Sequence, residues 1–204
     1  MGKIEEKKQK KQETLLQSAF DIFTTKGLQK ASISDIVEKA GVAKGTFYLY
    51  FKDKLDICNY LIATKSSTLF LNAHKALLNT VLTNLDDKII FIIDHIIDQL
   101  EKDKTLLRFI SKNLSWGVFK AALINPKLSS EFNFYELYLD MIANSEENFK
   151  NPEILLFMII ELIGSTIHDS ILNNQPVPIK ELKPCLYDAV RAIIRFQSQH
   201  GSTQ

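Results

Sequence analysis

The first 125 residues contain no proline, and apolar residues recur through them at helical spacing. The five prolines of the chain lie at positions 126, 152, 176, 178 and 184. Because an internal proline removes a backbone donor and breaks a helix, its absence leaves the helical periodicity uninterrupted. No segment alternates apolar and polar residues as a half-buried strand does. The sequence therefore predicts an all-α protein of roughly nine or ten helices.

Short motifs indicate where the first helices begin and end. Apolar residues at 15, 16, 19, 20 and 23 form one stripe, and Gly27 follows where a helix terminator is expected. Ser32 and Asp35 have capping-box spacing, which predicts the start of a second short helix. The turn "AGV" at 40–42 then leads to a third helix that starts near Lys44. Longer helices are predicted beyond residue 55, the last two near 153–173 and 179–198.

Positive charge is concentrated in the first quarter of the chain. Residues 1–54 contain eleven lysines and seven acidic residues, a net charge of +4, which leaves −3 for the rest of a chain of net charge +1. A basic segment of this kind favours a polyanionic partner. The lysines at 3, 7, 8, 10 and 11 form either a flexible arm that attracts phosphates or the solvated start of a helix.

The segment "KGTFYLYFKDK" at 44–54 divides into two sides when it is plotted as a helix. Phe47, Tyr50 and Phe51 share one apolar side. The other side carries Lys44, Gly45, Thr46, Tyr48 and Leu49. Such a side suits the DNA major groove, because glycine permits close approach, hydroxyl and ammonium groups bind phosphates, and leucine contacts a thymine methyl group. A solvated helix over a core is the commoner interpretation, but the preceding short helix and turn favour a helix-turn-helix.

These segments resemble the N-terminal DNA-binding domain of TetR-type transcriptional regulators over roughly residues 14–62. The resemblance is carried by Ala19, Phe20, Phe23, Lys26-Gly27, Ser32 to Ile36, Ala40 to Val42, and "KGTFYLYFKDK" through Leu55. Leu28 departs from the pattern, since an aromatic residue is usual there.

The resemblance implies a three-helix DNA-binding domain at 1–54 and a helical effector-binding and dimerisation domain at 55–204. It also implies a homodimer formed by the last two helices, a palindromic double-stranded operator, and release by a small apolar or aromatic effector. Residues expected to approach base edges are Lys44, Gly45, Leu49 and Tyr50. Those expected to hold phosphates are Ser32, Thr46, Tyr48 and Lys54.

Two groups of residues in the second part are candidates for the effector site and the dimer interface. The aromatic segments "SWGVF" and "FNFYELY" indicate an apolar ligand site, although aromatic residues at helical spacing are more often core. The candidates are Trp116, Phe119, Phe134, Tyr135 and Tyr138. Glu161, Gly164, Ser165 and His168 share a narrow helix side, and we expect Glu161 to meet His168 across a two-fold axis. A solvated or pocket-lining role for them is the alternative.

Other classes of protein have little support in the sequence. There is no glycine-rich phosphate loop, no nucleophile-elbow motif and no metal-type cysteine pair, so we expect no enzyme, cofactor or metal. His95 and Asp98 lack a third metal ligand nearby. The longest apolar run, 154–160, is far shorter than the roughly 20 residues of a membrane span, which favours a cytoplasmic protein. The remaining alternative is a helical ligand-binding or scaffolding protein whose first domain docks a protein partner.

Overall fold

The computed structural model describes residues 2–113, 116–117 and 133–199 of the chain. Within these ranges, nine helices have defined bounds and no strand occurs, which confirms the predicted all-α class. The helices are α1 (Lys3–Lys26), α2 (Ile33–Ala40), α3 (Lys44–Tyr48), α4 (Lys54–Leu77), α5 (Leu85–Lys102), α6 (Lys104–Asn113), α7 (Phe134–Ala143), α8 (Pro152–Asn173) and α9 (Ile179–Gln199). Most of the helix expected near 115–124 lies outside the described residues.

The predicted start and stop signals of the first helices are confirmed. Gly27 ends α1 with a φ of 77°, and Gly41 ends α2 in the left-handed conformation that glycine adopts without a steric penalty. Ser32 caps α2, and the side chain of Asp35 accepts a hydrogen bond from the Ser32 backbone N–H, which completes a capping box. Asp53 caps α4 by accepting hydrogen bonds from two backbone N–H groups of its first turn.

The lysine-rich start of the chain is helical. Helix α1 begins at Lys3, so these residues form the start of a helix and not a flexible arm. Leu15 is the first fully buried residue of α1. Residues 5–11 precede it and are all exposed.

One apolar core extends from the first three helices into the rest of the molecule. Leu15, Ala19 and Phe47 are fully buried where α1 packs against α2 and α2 against α3. Helix α4 packs against both α1 and α5, while α8 packs against α6 and α9. The domain division after Lys54 stays a prediction, and α4 begins at that residue and connects the two parts.

Helix α8 is long and apolar enough to cross a membrane when judged by length and composition alone. Core helices of soluble proteins pass the same test. Leu155, Leu156 and Ile159 of α8 are buried in the core, while its apolar stretch as a whole is 33% buried.

Candidate functional site

Two phenylalanine rings attach α3 to the core of the first three helices. Phe47 is fully buried and Phe51 is 3% exposed, with their ring centroids 5.8 Å apart. Phe51 also makes an edge-to-face contact with Tyr60 of α4 at 5.7 Å. Because aromatic pairs of this geometry contribute beyond their buried area, they hold the short helix in a fixed orientation.

The opposite side of α3 is open to solvent, as the helical plot predicts. The Tyr48 side chain is 53% exposed and that of Leu49 is 78% exposed. Lys44 and Gly45 are exposed, and Thr46 is half-buried. A Cβ atom placed on Gly45 would have no atom within 4 Å, so nothing covers the backbone there. The arrangement presents a small residue, hydroxyl groups, a cation and an apolar tip on one surface.

The hydroxyl group of Ser32, another residue expected to hold a phosphate, is engaged at the start of α2. The hydroxyl donates to Asp35 Oδ2 at 2.8 Å and accepts from the Asp35 backbone N–H at 3.1 Å. Hydrogen bonds from Lys26 and from the Ser32 backbone lower the pKa of Asp35 to about 2. A phosphate bound by Ser32 would therefore compete with the capping box for the hydroxyl proton.

Lys54 differs from the expectation that it holds a phosphate. Its ammonium group donates to the backbone carbonyls of Leu28, Gln29 and Ala31 at 2.9, 3.1 and 2.9 Å. An ammonium group has three N–H donors, and these three carbonyls use all of them. These contacts give Lys54 a structural role between α4 and the α1–α2 segment in place of a phosphate contact.

Tyr50 also differs from the expected contact with base edges. Its ring is half-buried against the core, and its hydroxyl group donates to the backbone carbonyl of Lys8 at 3.1 Å. The helical plot places Tyr50 on the core side, and the structure agrees with that plot. Tyr50 thus joins the end of α3 to the start of α1.

An apolar cavity of about 130 Å³ lies between α4, α5, α6, α7 and α8. Its walls include Phe70, Ile92, Ile96, Phe134, Tyr138 and Ile163. Among the described residues that line the cavity none is charged, and Ser66 and Tyr138 are the two with a side-chain hydroxyl. The Tyr138 hydroxyl donates to the carbonyl of Pro152 at 2.7 Å, and burial raises its pKa. The cavity therefore suits an uncharged apolar molecule.

The structure brings only part of the predicted ligand set to this cavity. Phe134 and Tyr138 line it, whereas Tyr135 packs beside Tyr138 with a ring distance of 6.4 Å and does not. Trp116 instead contacts Phe157 of α8 edge-to-face at 5.1 Å, beside a shallow surface recess. Phe119 lies outside the described residues. The isoleucines of α5 and α8 also line the cavity, but they were not among the predicted ligand residues. The one indication in the sequence is that the apolar face of each helix is wider than packing against a single neighbour requires.

The predicted dimer residues lie on or beside the exposed side of α8. Glu161, Gly164 and Ser165 are exposed, and His168 is half-buried with Nδ1 3.1 Å from Asp169 Oδ1. Gly164 also lines the apolar cavity. On the same helix Ile154 is 46% exposed and Phe157 is 39% exposed. With these two large apolar residues, the exposed side of α8 is more apolar than is usual for a surface in contact with solvent.

In the part of the chain that the structure describes, no three His, Cys, Asp or Glu residues come together as a metal site requires. Cys58 is buried, and desolvation raises its pKa to about 11. Cys185 is exposed on α9, and both cysteines are free thiols.

Comparison with known proteins agrees with this geometry. A family model described as bacterial regulatory proteins of the tetR family matches residues 15–61, which contain the second half of α1, all of α2 and α3, and the start of α4. The HTH-type transcriptional regulator YvdT of Bacillus subtilis (strain 168) is 64% identical over 44 residues, covering 22% of this chain and 23% of that relative. The HTH-type transcriptional regulator SAR0097 of Staphylococcus aureus (strain MRSA252) is 26% identical over 179 residues, covering 86% of each chain.

A solved structure shares the fold over most of the molecule. The transcriptional regulator FadR from Bacillus subtilis, in complex with stearoyl-CoA, superimposes with a TM-score of 0.62 at 18% identity. The superposition covers 87% of this chain and 96% of FadR. The family model falls on the helix-turn-helix, and similarity extends beyond it along most of the chain. Residues 15–61 thus match the tetR family of bacterial regulatory proteins, and the chain as a whole is similar to HTH-type transcriptional regulators.

Proposed function

We propose that this protein is a TetR-family regulator, a cytoplasmic homodimer that represses transcription from a palindromic operator and is released by a small apolar effector. The observation that carries the proposal is the open side of α3, which two buried phenylalanine rings hold in place. A helix fixed in this way can enter the major groove without losing its orientation.

The DNA contacts divide into those that read bases and those that position the protein. Lys44, Gly45 and Leu49 approach base edges, with Leu49 as the contact for a thymine methyl group. Thr46 and Tyr48 bind phosphates through their hydroxyl groups. All five lie on α3 or at its C-terminal end, and Leu49 is the most exposed of the large side chains there at 78%.

The cavity limits the chemistry of the effector. Its volume of about 130 Å³ is close to that of an engineered apolar cavity of about 150 Å³ that binds benzene. Burying a charge without a partner is costly, so the buried part of the effector is uncharged. FadR binds stearoyl-CoA. A long acyl chain would have to widen the present cavity, whereas a single ring or a short chain would fit it directly.

Helix α4 is the physical connection between cavity and DNA. Its first turn adjoins the helix-turn-helix, and Ser66, Leu69 and Phe70 further along line the cavity. A ligand that favours one orientation of α4 changes the separation of the two recognition helices, which must match major grooves about 34 Å apart. A coupling free energy of about 1–3 kcal/mol is enough to alter occupancy of the operator.

The dimer is formed by the exposed sides of α8 and α9. Ile154 and Phe157 of α8 and Phe196 of α9 are large apolar residues that a second copy would cover. Glu161 and His168 are seven residues apart, about 10.5 Å along the helix, so they cannot pair within one chain. In antiparallel copies Glu161 lies near His168 of the second chain. Sedimentation of a Glu161→Gln/His168→Gln variant tests this pair, and an unchanged dimer would exclude it.

DNA binding is tested by selecting duplexes from a randomised library on the full-length protein and measuring affinity across a salt series. We expect an inverted repeat and an affinity that falls steeply with salt, since several phosphates are neutralised. Failure to retain any duplex at low salt would refute the proposal. It would favour the alternative of a helical ligand-binding protein whose first domain docks another protein.

The effector site is tested by filling the cavity. Ile96→Phe places extra volume inside it, whereas Ile90→Phe makes the same change on α5 at a half-buried residue that does not line it. We expect Ile96→Phe to keep operator binding and to lose release by benzene-sized apolar probes. Ile90→Phe should keep both. Equal responses of the two variants would show that the effector binds elsewhere.

A further inference from the structure

Helix α1 is longer than its packing requires. Residues 5–11 are exposed, and the first fully buried side chain of the helix is Leu15. At 1.5 Å per residue, these seven exposed residues span about 10 Å of helix. A helical segment without packing contacts is only marginally stable in water, so a further contact would stabilise this extension.

Tyr50 supplies one such contact. Its hydroxyl group donates to the carbonyl of Lys8 at 3.1 Å, across 42 residues of sequence. Tyr50 directly follows Leu49, the C-cap of α3, and its ring packs against the core. The extension of α1 is therefore positioned beside the C-terminal end of the recognition helix.

The lysines of the extension lie toward the helix-turn-helix. At 100° per residue, Lys7, Lys10 and Lys11 fall within an arc of about 100°, and Asp21 falls in the same arc two to four turns later. Asp21 forms an ion pair with Lys39 of α2 at 3.3 Å, so this side of α1 faces α2 at the level of Asp21. We call Lys7, Lys10 and Lys11 the lysine side.

Glu13 lies outside this arc and faces the rest of the protein. It lines a groove with Leu61 and Lys65 of α4. Within the described part of the chain, no carboxylate lies within ion-pair distance of any lysine on the lysine side. The lysine side therefore carries three exposed positive charges that have no ion-pair partner among the described residues.

We propose that the lysine side binds DNA phosphates that flank each half-site, and that Tyr50 is a positioning residue that holds the α1 extension against the recognition helix. This inference rests on the proposed function. It assigns the extension a contact that carries no base information and strengthens binding to every operator sequence. It also explains why Tyr50 is on the core side of α3 while its hydroxyl group points to α1.

The test compares the salt dependence of duplex binding for two triple variants. Lys7→Gln/Lys10→Gln/Lys11→Gln removes the lysine side, and Lys102→Gln/Lys104→Gln/Lys112→Gln removes three exposed lysines of α5 and α6. Each phosphate contact contributes about 0.9 to the slope of log affinity against log salt. Raising salt from about 50 to 200 mM should therefore weaken the wild type about 40-fold more than the first variant. The second variant should match the wild type.

Tyr50→Phe separates positioning from base reading. Removing the hydroxyl group should lower the salt slope while leaving preference at every operator position unchanged. A change of preference confined to one base pair would show that Tyr50 reads a base and would overturn its positioning role. Circular dichroism of each variant checks that the helices are intact.

The possible failures are distinguishable. If the wild type binds no duplex at any salt concentration, the proposed function fails and the inference fails with it. If the wild type binds and the first triple variant has the same slope, the inference alone is overturned.

Discussion

The ammonium group of Lys183 on α9 lies 2.6 Å from a carboxylate oxygen of Asp94 on α5. Asp98, one turn further along α5, lies 2.5 Å from the same ammonium, and the Tyr187 hydroxyl donates to Asp94. Burial opposes ionisation of Asp94, but the hydrogen bonds from Lys183 and Tyr187 outweigh it and hold its pKa below the usual value. The opposite side of α5 lines the apolar cavity. These contacts thus connect the cavity wall to a helix of the proposed dimer interface.

Lys183→Met should lower the free energy of unfolding by about 1 kcal/mol, because charge-assisted hydrogen bonds are lost but the two carboxylates are partly exposed. Lys180→Met is the matched control, since Lys180 is exposed on the same helix. Urea denaturation of both variants measures the difference. Equal stability of the two variants would show that the contacts contribute nothing to stability.

Tyr48→Phe should weaken binding to all operator sequences by a similar factor. The substitution removes one phosphate-binding hydroxyl group and keeps the ring, and phosphate contacts carry no base information. Fluorescence anisotropy with a panel of single-base operator variants measures this. A loss restricted to one base position would contradict the assigned role.

Leu49→Ala should change preference at one base pair. Its side chain is 78% exposed, so truncation costs little stability but removes the apolar contact with a thymine methyl group. On the same panel, operators with and without thymine at that position should become more alike in affinity. Uniform weakening across the panel would exclude a methyl contact.

Ser32→Ala should destabilise the protein by about 1 kcal/mol through loss of the α2 cap. Ser34→Ala removes a hydroxyl group from an exposed position in the first turn of the same helix and serves as the control. Thermal unfolding of the two variants compares them directly. If Ser34→Ala lowers the stability as much as Ser32→Ala does, the loss of stability in Ser32→Ala would not be due to the missing cap.

Asp35→Asn should remove a contribution to stability that depends on pH. The pKa of Asp35 is about 2 in the folded chain, below its ordinary value of 3.8. A depressed pKa stabilises the fold above 3.8, and this stabilisation is lost as pH falls through 2. Melting temperatures measured from pH 3.8 down to pH 2 should show the wild type becoming no more stable than the variant as the pH falls. An advantage that persists below pH 2 would have another origin.

The helices of the first domain could be predicted because their determinants are local. Gly27 and the Ser32–Asp35 pair act within one turn of the residues they terminate or cap. The two sides of α3 also follow from helical geometry alone, and Phe47 and Tyr48 are buried and exposed as the plot requires. Such features need no knowledge of tertiary packing.

The roles of Lys54 and the cavity walls could not be predicted in this way. Lys54 contacts carbonyls that precede it by 23–26 residues, and no local pattern shows which backbone groups a lysine reaches. The cavity forms where five helices from different parts of the sequence leave space unfilled. An isoleucine that borders such a space has the same spacing and chemistry as one packed in the core.

The three carbonyls that Lys54 holds belong to the corner between α1 and α2, so the start of α4 is fastened to that corner. A tilt of α4 therefore moves α1, α2 and α3 together as a rigid unit. The side chains on the open side of α3 keep their mutual positions during this movement. Under the proposed function, an effector would therefore alter the distance between the two recognition helices of a dimer and leave unchanged the bases that each recognises. A synthetic operator with altered spacing should regain affinity for the ligand-bound form.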